Sequence, residues 1–146
     1  MLDAIRSSEA VIYSIGSLYT SIIPSLILRG VGEAITGNGG LKYRILILNS
    51  KLDRETGNMT GRDFVEAIAR AAGTHCGGGE VRRYVSHLVY LEGEGTPVVD
   101  VEELRGLGIV CVRAGGRVVG EGRGRMVRYD EEGLGRALEG VLEGRW

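Results

Sequence analysis

The sequence predicts an α/β fold: a parallel β-sheet covered by helices on both faces, in a Rossmann-like three-layer arrangement. Short apolar runs at residues 9–14, 43–48, 85–91 and 109–112 alternate with helix-like segments. The run at 43–48 is almost continuously apolar, which is typical of a strand that is buried on both faces. Successive parallel strands joined by helical crossovers form right-handed βαβ units.

The first elements follow from local pattern. Residues 2–8 resemble the end of a helix, and the strand at 9–14 leads into a cluster of hydroxyl side chains. We expect the next helix to begin near Ser21, to bend or restart near Gly30, and to continue through Ile35 to a glycine-rich stop.

The later helices carry clear start signals. Thr60 and Asp63 have the spacing of a capping box, so a helix is predicted from Thr60 onward. Asp100 and Asp130 are expected to cap two further helices. The apolar stripe of the first of these three helices comprises Phe64, Ala67, Ile68 and Ala71.

Length and composition bound the class of protein. A chain of 146 residues has the length of a single domain, 1–146, and 43% hydrophobic residues are enough for a core. The net charge of -1 provides no overall attraction to nucleic acid or to an anionic membrane, so neither is expected as a partner. No stretch approaches the roughly 20 apolar residues that span a bilayer, and no signal peptide is visible, so we expect a cytoplasmic protein with reduced thiols at Cys76 and Cys111.

The hydroxyl cluster is the first candidate site. Five hydroxyl side chains fall within residues 14–21, around Gly16, where a strand gives way to a helix. The first N–H groups of a helix lack intrahelical acceptors and lie at the positive end of its dipole, an arrangement that binds phosphate. The alternative is that Ser17 or Thr20 serves only as an ordinary helix cap.

A second polar stretch, residues 49–59, follows the second predicted strand. In an open parallel sheet both polar loops lie at the same edge, where ligands bind. Asp53 and Glu55 are carboxylates suited to a magnesium ion or to ligand hydroxyls. The alternative is a solvated loop in which Arg54 forms local ion pairs. No cluster of residues has the spacing of a metal site.

Two other features have simpler interpretations. His87 lies in an apolar strand and is interpreted as a hydrogen-bonded core histidine rather than a general base. The Gly/Arg tract at 113–125 is interpreted as a flexible solvent loop, because it lacks the interleaved aromatic residues of RNA-binding segments.

Several motifs together resemble the C-terminal half of the CofD-like family. They are Tyr13-Ser-Ile-Gly-Ser-Leu-Tyr-Thr-Ser-Ile-Ile-Pro24, Arg29-Gly-Val-Gly-Glu-Ala-Ile35, Leu46-Ile-Leu-Asn-Ser-Lys-Leu-Asp-Arg-Glu-Thr-Gly57, residues 84–97 and residues 126–131. That family includes 2-phospho-L-lactate transferases and YvcK-type gluconeogenesis factors, which bind nucleotide sugars. The similarity is strongest to the uncharacterised eukaryotic branch.

The resemblance implies a site and a function. Gly16, Ser17, Leu18, Tyr19 and Thr20 would contact the phosphates of a nucleotide diphosphate or nucleotide sugar. Asn49, Asp53, Glu55 and Thr56 would form the adjoining substrate rim. The implied activity is transfer of a 2-phospho-L-lactate group from a nucleotide-diphosphate donor with magnesium. The alternative is a regulatory module that binds a nucleotide sugar without turnover, and a structural remnant that binds nothing is a third hypothesis.

The sequence departs from the family pattern in two places. Ser14-Ile15 stands where the transferases and bacterial members have Gly-Pro. Members of the family also have a glycine-rich nucleotide loop and, further along, an Asp-Asp-Gly-Gly stretch. Neither motif is present in this sequence. We therefore expect an incomplete fold, inactive in isolation, whose exposed sheet edge promotes self-association.

Overall fold

The computed structural model describes residues 1–146 and is organised around a four-stranded parallel sheet. The strands lie in chain order: β1 (Ala10–Tyr13), β2 (Tyr43–Ile47), β3 (His87–Tyr90) and β4 (Val110–Arg113). Because all four strands are parallel, their carboxyl ends lie at one edge of the sheet. This arrangement confirms the predicted Rossmann-like α/β fold.

Six helices connect or flank the strands. They are α1 (Leu2–Arg6), α2 (Ile23–Leu26), α3 (Val31–Gly37), α4 (Gly61–Gly73), α5 (Val101–Gly106) and α6 (Glu131–Leu142). None of them is long and apolar enough to cross a membrane.

The core is divided in two by the sheet, because successive side chains of a strand point to opposite faces. Leu46 of β2 packs in the larger core beneath α2 to α5, together with Phe64 and Leu104. Its neighbours Ile45 and Ile47 point the other way, into a smaller core beneath α6. Burial on both faces explains the continuous apolar run of β2.

The three capped helices begin where the sequence predicts. The Thr60 hydroxyl accepts the N–H of Asp63, and the Asp63 carboxylate accepts the N–H of Thr60 at 2.7 Å, so the capping box is complete. Asp100 accepts the N–H of Glu103 at 3.0 Å, and Asp130 accepts the N–H of Gly133. These start signals are local, which is why the sequence is sufficient to locate them.

The helix after the hydroxyl cluster begins earlier than predicted. A π-helical turn spans Leu18–Ile22 and runs directly into α2, so the helical segment begins at Leu18 rather than near Ser21. Pro24 has no N–H to bond to the carbonyl of Thr20, and the preceding Ile23 N–H instead reaches back to the carbonyl of Leu18. The break near Gly30 is as predicted, and Gly30 adopts a left-handed conformation with φ of 87°.

The Gly/Arg tract is not a flexible loop, and that interpretation was wrong. It forms an antiparallel hairpin of β5 (Gly116–Val119) and β6 (Met126–Tyr129), joined by a 3₁₀ turn at Gly122–Gly124. Val127 packs so closely on Gly93 that a Cβ at residue 93 would lie 2.3 Å from a Val127 methyl carbon. The apolar residues of the two strands are Val118 and Val119 within the tract and Met126 and Val127 just after it.

Helices α3 and α4 cross at very short range. A Cβ on Gly32 would lie 1.9 Å from the carbonyl oxygen of Ala72 and 2.9 Å from Cys76 Sγ. Only glycine allows this approach, because the contact involves backbone that cannot move aside.

Gly32→Ala is expected to lower the free energy of unfolding by about 1–3 kcal/mol or more, because the added methyl group forces the two helices apart. Thermal unfolding measures this, at roughly 2–4 °C per kcal/mol for a chain of this size. The control is Gly37→Ala in the same helix, where an added Cβ has no neighbour within 4 Å. An equally stable Gly32→Ala protein would contradict the close crossing.

Candidate functional site

The segment after β1 turns sharply at Gly16 and Ser17 and then enters the helical segment at Leu18. The Leu18 side chain is fully buried and holds this turn onto the larger core. The Ser17 carbonyl accepts the N–H groups of Ser21 at 2.9 Å and Ile22 at 3.3 Å, which closes the first turn. The Ser17 hydroxyl does not cap the helix, so simple capping does not account for this serine.

The backbone N–H groups of residues 16–20 form the main feature of this turn. None of these five groups donates a hydrogen bond to a protein acceptor. The N–H groups in the first turn of a helix point toward its N-terminal end, where the helix dipole is positive. The turn therefore presents a set of donors suited to an anion.

The loop after β2 contacts this turn directly. The Asn49 side-chain amide donates to the Gly16 carbonyl at 3.0 Å. Further along the same loop, the Glu55 carboxylate lies 3.5 Å from the Ser17 hydroxyl, which donates to it. The two polar loops thus meet at the carboxyl edge of the sheet, as the parallel arrangement of β1 and β2 requires.

Asp53 and Thr56 hold the second loop in shape. Asp53 Oδ1 accepts the N–H of Glu55 at 3.0 Å, the N–H of Thr56 at 2.8 Å and the hydroxyl of Thr56 at 2.9 Å. These bonds, chiefly those from Thr56, hold the pKa of the Asp53 carboxyl below its usual value. Thr56 itself is buried.

The nine predicted site residues therefore fall into two groups: those whose side chains hold the loops in place or are buried, and those with polar groups free at the surface. Asn49, Asp53 and Thr56 use their side chains to hold the loops, and Leu18 has only its backbone N–H available. Other groups remain at the surface: the hydroxyl of Thr20, the exposed ring of Tyr19, whose hydroxyl lies 3.7 Å from Met59 Sδ, and the carboxylate of Glu55.

The side chains of the two loops can be compared with those that coordinate magnesium in proteins. No group of three or more His, Cys, Asp or Glu side chains is arranged to hold a metal. Magnesium is also bound through one or two carboxylates together with the phosphates of a ligand. Glu55 fits this second mode, because its carboxylate lies beside the Ser17 hydroxyl at the start of the turn and accepts no backbone hydrogen bond.

Tyr129 joins the hairpin to this edge of the sheet, a role that no sequence pattern predicts. Its hydroxyl donates to the carbonyls of Leu48 at 2.6 Å and Val89 at 3.2 Å. Leu48 directly precedes Asn49, so the hairpin is anchored beside the second polar loop. Burial raises the pKa of the Tyr129 hydroxyl, which keeps it protonated as a donor.

His87 lies away from these loops, at the amino end of β3, and is buried as expected. Its Nδ1 is 2.8 Å from the Ser86 hydroxyl, but its Nε2 has no partner, so only half of the ring is hydrogen-bonded. Burial lowers the pKa of this imidazole. Cys76 and Cys111 are free thiols.

Comparison with known proteins identifies similar chains. Residues 1–110 match the family model described as 2-phospho-L-lactate transferase CofD. The chain is 32% identical over 118 residues to a gluconeogenesis factor of Halalkalibacterium halodurans, covering 74% of this chain and 35% of that protein. An uncharacterized protein of Saccharomyces cerevisiae is 37% identical over 67 residues, which are 46% of this chain and 15% of that protein.

A solved structure has the same fold. The crystal structure of a Bacillus halodurans protein superimposes with a TM-score of 0.72 at 24% sequence identity, over 94% of this chain and 45% of that one. The chain thus spans less than half the length of each of these three proteins.

Asp53→Asn is expected to destabilise the protein at pH 7, because a neutral amide is a weaker acceptor for the three donors that converge on Oδ1. The folded-state pKa of Asp53 is depressed, so its contribution is present above its ordinary value of 3.8 and is lost as pH falls through the lower folded value. Urea unfolding of both proteins between pH 7 and pH 2.5 should therefore show a difference that shrinks with acidification. Asp3→Asn, which removes only a surface ion pair with Arg6, is the control; a constant difference would contradict this role of Asp53.

Proposed function

The chain belongs to the CofD family, and on that premise we propose that the two contacting loops after β1 and β2 bind the phosphate groups of a nucleotide diphosphate or nucleotide sugar. The observation that carries the proposal is the run of five backbone N–H groups, residues 16–20, that have no protein acceptor. A diphosphate offers several charged oxygens, and hydrogen bonds to charged acceptors are stronger than those between neutral groups.

The charges around these N–H groups support an anionic ligand. Residues 14–20 contain no charged side chain, so the backbone and the hydroxyls of Ser17 and Thr20 are the donors there. The adjoining loop adds Lys51 and Arg54, which are exposed and form no ion pair within the protein. Two free cations beside a set of free donors favour a phosphate over a neutral ligand.

Glu55 carries a carboxylate that opposes an anion at this edge. Its carboxylate lies near Ser17 and would repel a phosphate held by the same turn. A magnesium ion between Glu55 and the phosphate oxygens would reverse that repulsion. We therefore include magnesium in the proposal, with Glu55 as its protein ligand.

Transfer chemistry is the second candidate, and it is favoured by the description of the matching family model. In such a transfer, the acceptor hydroxyl attacks the distal phosphorus of a diphosphate, forms a new P–O bond and loses its proton. The P–O bond to the nucleoside monophosphate breaks. The N–H groups of residues 16–20 would stabilise the developing negative charge, and the loops would position the reactants. Binding without turnover is the first candidate because it needs only groups that are present in this chain.

Ser17→Ala is expected to weaken the binding of GDP or a UDP-sugar by about tenfold, since it removes one hydrogen bond to a charged oxygen worth about 1.5 kcal/mol. Isothermal titration calorimetry of the 146-residue chain with magnesium measures the effect. The control, Ser7→Ala, removes a serine whose hydroxyl bonds only to the carbonyls of Asp3 and Ala4 in α1, away from the proposed site. Absence of binding by the unaltered chain at millimolar nucleotide would overturn the proposal. Phosphorus NMR of the same samples distinguishes binding from transfer, because only transfer consumes the nucleotide.

Glu55→Gln is expected to strengthen nucleotide binding in the presence of EDTA, because it removes the repelling carboxylate, and to abolish any further gain on addition of magnesium. Glu9→Gln is the matched control, since Glu9 lies at the amino end of β1 and contacts Lys42 at the surface. A Glu55→Gln protein that retains the full magnesium dependence would show that the ion, if bound, uses other ligands.

A further inference from the structure

The hairpin of β5 and β6 has an inner face on the sheet and an outer face directed away from it. Val127 packs on Gly93, and Tyr129 is hydrogen-bonded to the ends of β2 and β3, so both of these side chains lie on the inner face. Because side chains alternate along a strand, Arg128 between them belongs to the outer face. Its cross-strand partner is Arg117. The outer face therefore presents two arginines side by side.

This pairing of arginines opposes the formation of the hairpin. Residues directly opposite each other on antiparallel strands have Cβ atoms about 4.5–5.5 Å apart, and like charges there are destabilising. Arg117 and Arg128 are both exposed, and neither forms an ion pair with a carboxylate of this chain. Local choices that oppose the fold are expected mainly at functional sites. A bound anion would supply the negative charge that the pair lacks.

The positive charge continues to the tip of the hairpin. Residues 116–129 contain four arginines and one carboxylate, Glu121. The two arginines at the tip, Arg123 and Arg125, are also exposed and form no ion pair within the protein. The net charge of -1 describes the whole chain, whereas the hairpin has the opposite sign and can attract an anion locally.

The spacing of these charges favours an extended anion. A strand rises about 3.3 Å per residue, so Arg125 lies about 10 Å along the ribbon from Arg128. A single phosphate group cannot contact both arginines. A ligand that carries a negative charge on every repeating unit can.

We propose that the outer face of the hairpin binds single-stranded nucleic acid. The guanidinium fork matches phosphate oxygens in a bidentate manner, and its plane stacks on unpaired bases. Val119 and Met126 are cross-strand partners between the two arginine pairs, and they offer an apolar surface to the bases. An acidic peptide would supply carboxylates but no flat groups for these side chains, and the bases of a duplex are already stacked on one another.

This surface is separate from the proposed phosphate site. The four arginines lie on β5, on β6 and in the turn that joins them, whereas the phosphate site consists of the loops after β1 and β2. Binding of nucleic acid and binding of a nucleotide can therefore fail independently. Saturating GDP should not displace nucleic acid from the hairpin.

Fluorescence anisotropy of a labelled oligouridine RNA of about twelve nucleotides measures the binding to the 146-residue chain. For single strands, the slope of log K against log salt concentration is about -0.7 per phosphate contact, so four arginines predict a slope of about -2.8 between about 50 and 200 mM salt. The double variant Arg117→Gln/Arg128→Gln should reduce the slope to about -1.4 and weaken the binding at low salt.

The matched control is the double variant Arg29→Gln/Arg70→Gln, which also removes two exposed arginines without ion pairs, on other elements of the fold. It changes the net charge equally and should leave the slope unchanged. Equal losses in the two double variants would overturn the proposal, as would absence of RNA binding by the unaltered chain at about 100 μM. Displacement of the RNA by GDP, or by polyglutamate at equal charge, would also overturn it.

Thermal unfolding of the same proteins separates binding from folding. Without RNA, Arg117→Gln/Arg128→Gln should unfold at the same temperature as the unaltered chain or higher, because the variant removes a repulsion. With RNA, it should be stabilised less than the unaltered chain. A lower unfolding temperature without RNA would show that the two arginines support the hairpin, which contradicts the repulsion on which the proposal rests.

Discussion

The hydrogen bond from the Asn49 amide to the Gly16 carbonyl joins the two loops on which the candidate site depends. Each loop follows its own strand, and parallel pairing alone brings the strand ends only to the same edge. The amide fixes the distance between the loops and turns the Gly16 carbonyl toward the second loop. The N–H groups that follow Gly16 are left without protein acceptors, and the Glu55 carboxylate is brought to the Ser17 hydroxyl.

The polar side chains of the second loop have different roles in this arrangement. Asp53 and Thr56 satisfy one another and their own backbone, so the acidic residue that looks most like a ligand is in fact a support. Glu55, two residues later, is held by the Asp53 turn and keeps its carboxylate at the surface. A loop rigid enough to position one carboxylate uses another carboxylate to maintain its shape.

The sequence predicts the features that depend on neighbours in the chain. The Thr60 capping box and the caps at Asp100 and Asp130 each need only three or four residues, and the fully apolar β2 strand signals its own burial. The early start at Leu18 was not predictable in the same way, because it depends on how the missing N–H of Pro24 is accommodated. The roles of Asp53 and Tyr129 depend on contacts that the folded chain creates: the Asp53 turn closes only in one loop conformation, and Tyr129 reaches a carbonyl 81 residues away. Glycine and arginine dominate the tract at 113–125, and the two consecutive valines of β5, Val118 and Val119, are too short an apolar run to signal a strand there.

The hairpin is secured at its base and not at its tip. Tyr129 and Val127 attach β6 to the ends of β2 and β3, whereas residues 120–125 are exposed and include Gly120 and Gly122 in left-handed conformations. Segments that make few packing contacts accept changes of length at little cost in stability. Evolution can therefore lengthen or shorten this tip in related proteins without disturbing the sheet, and the same position is suited to the insertion of an epitope or a fluorescent label.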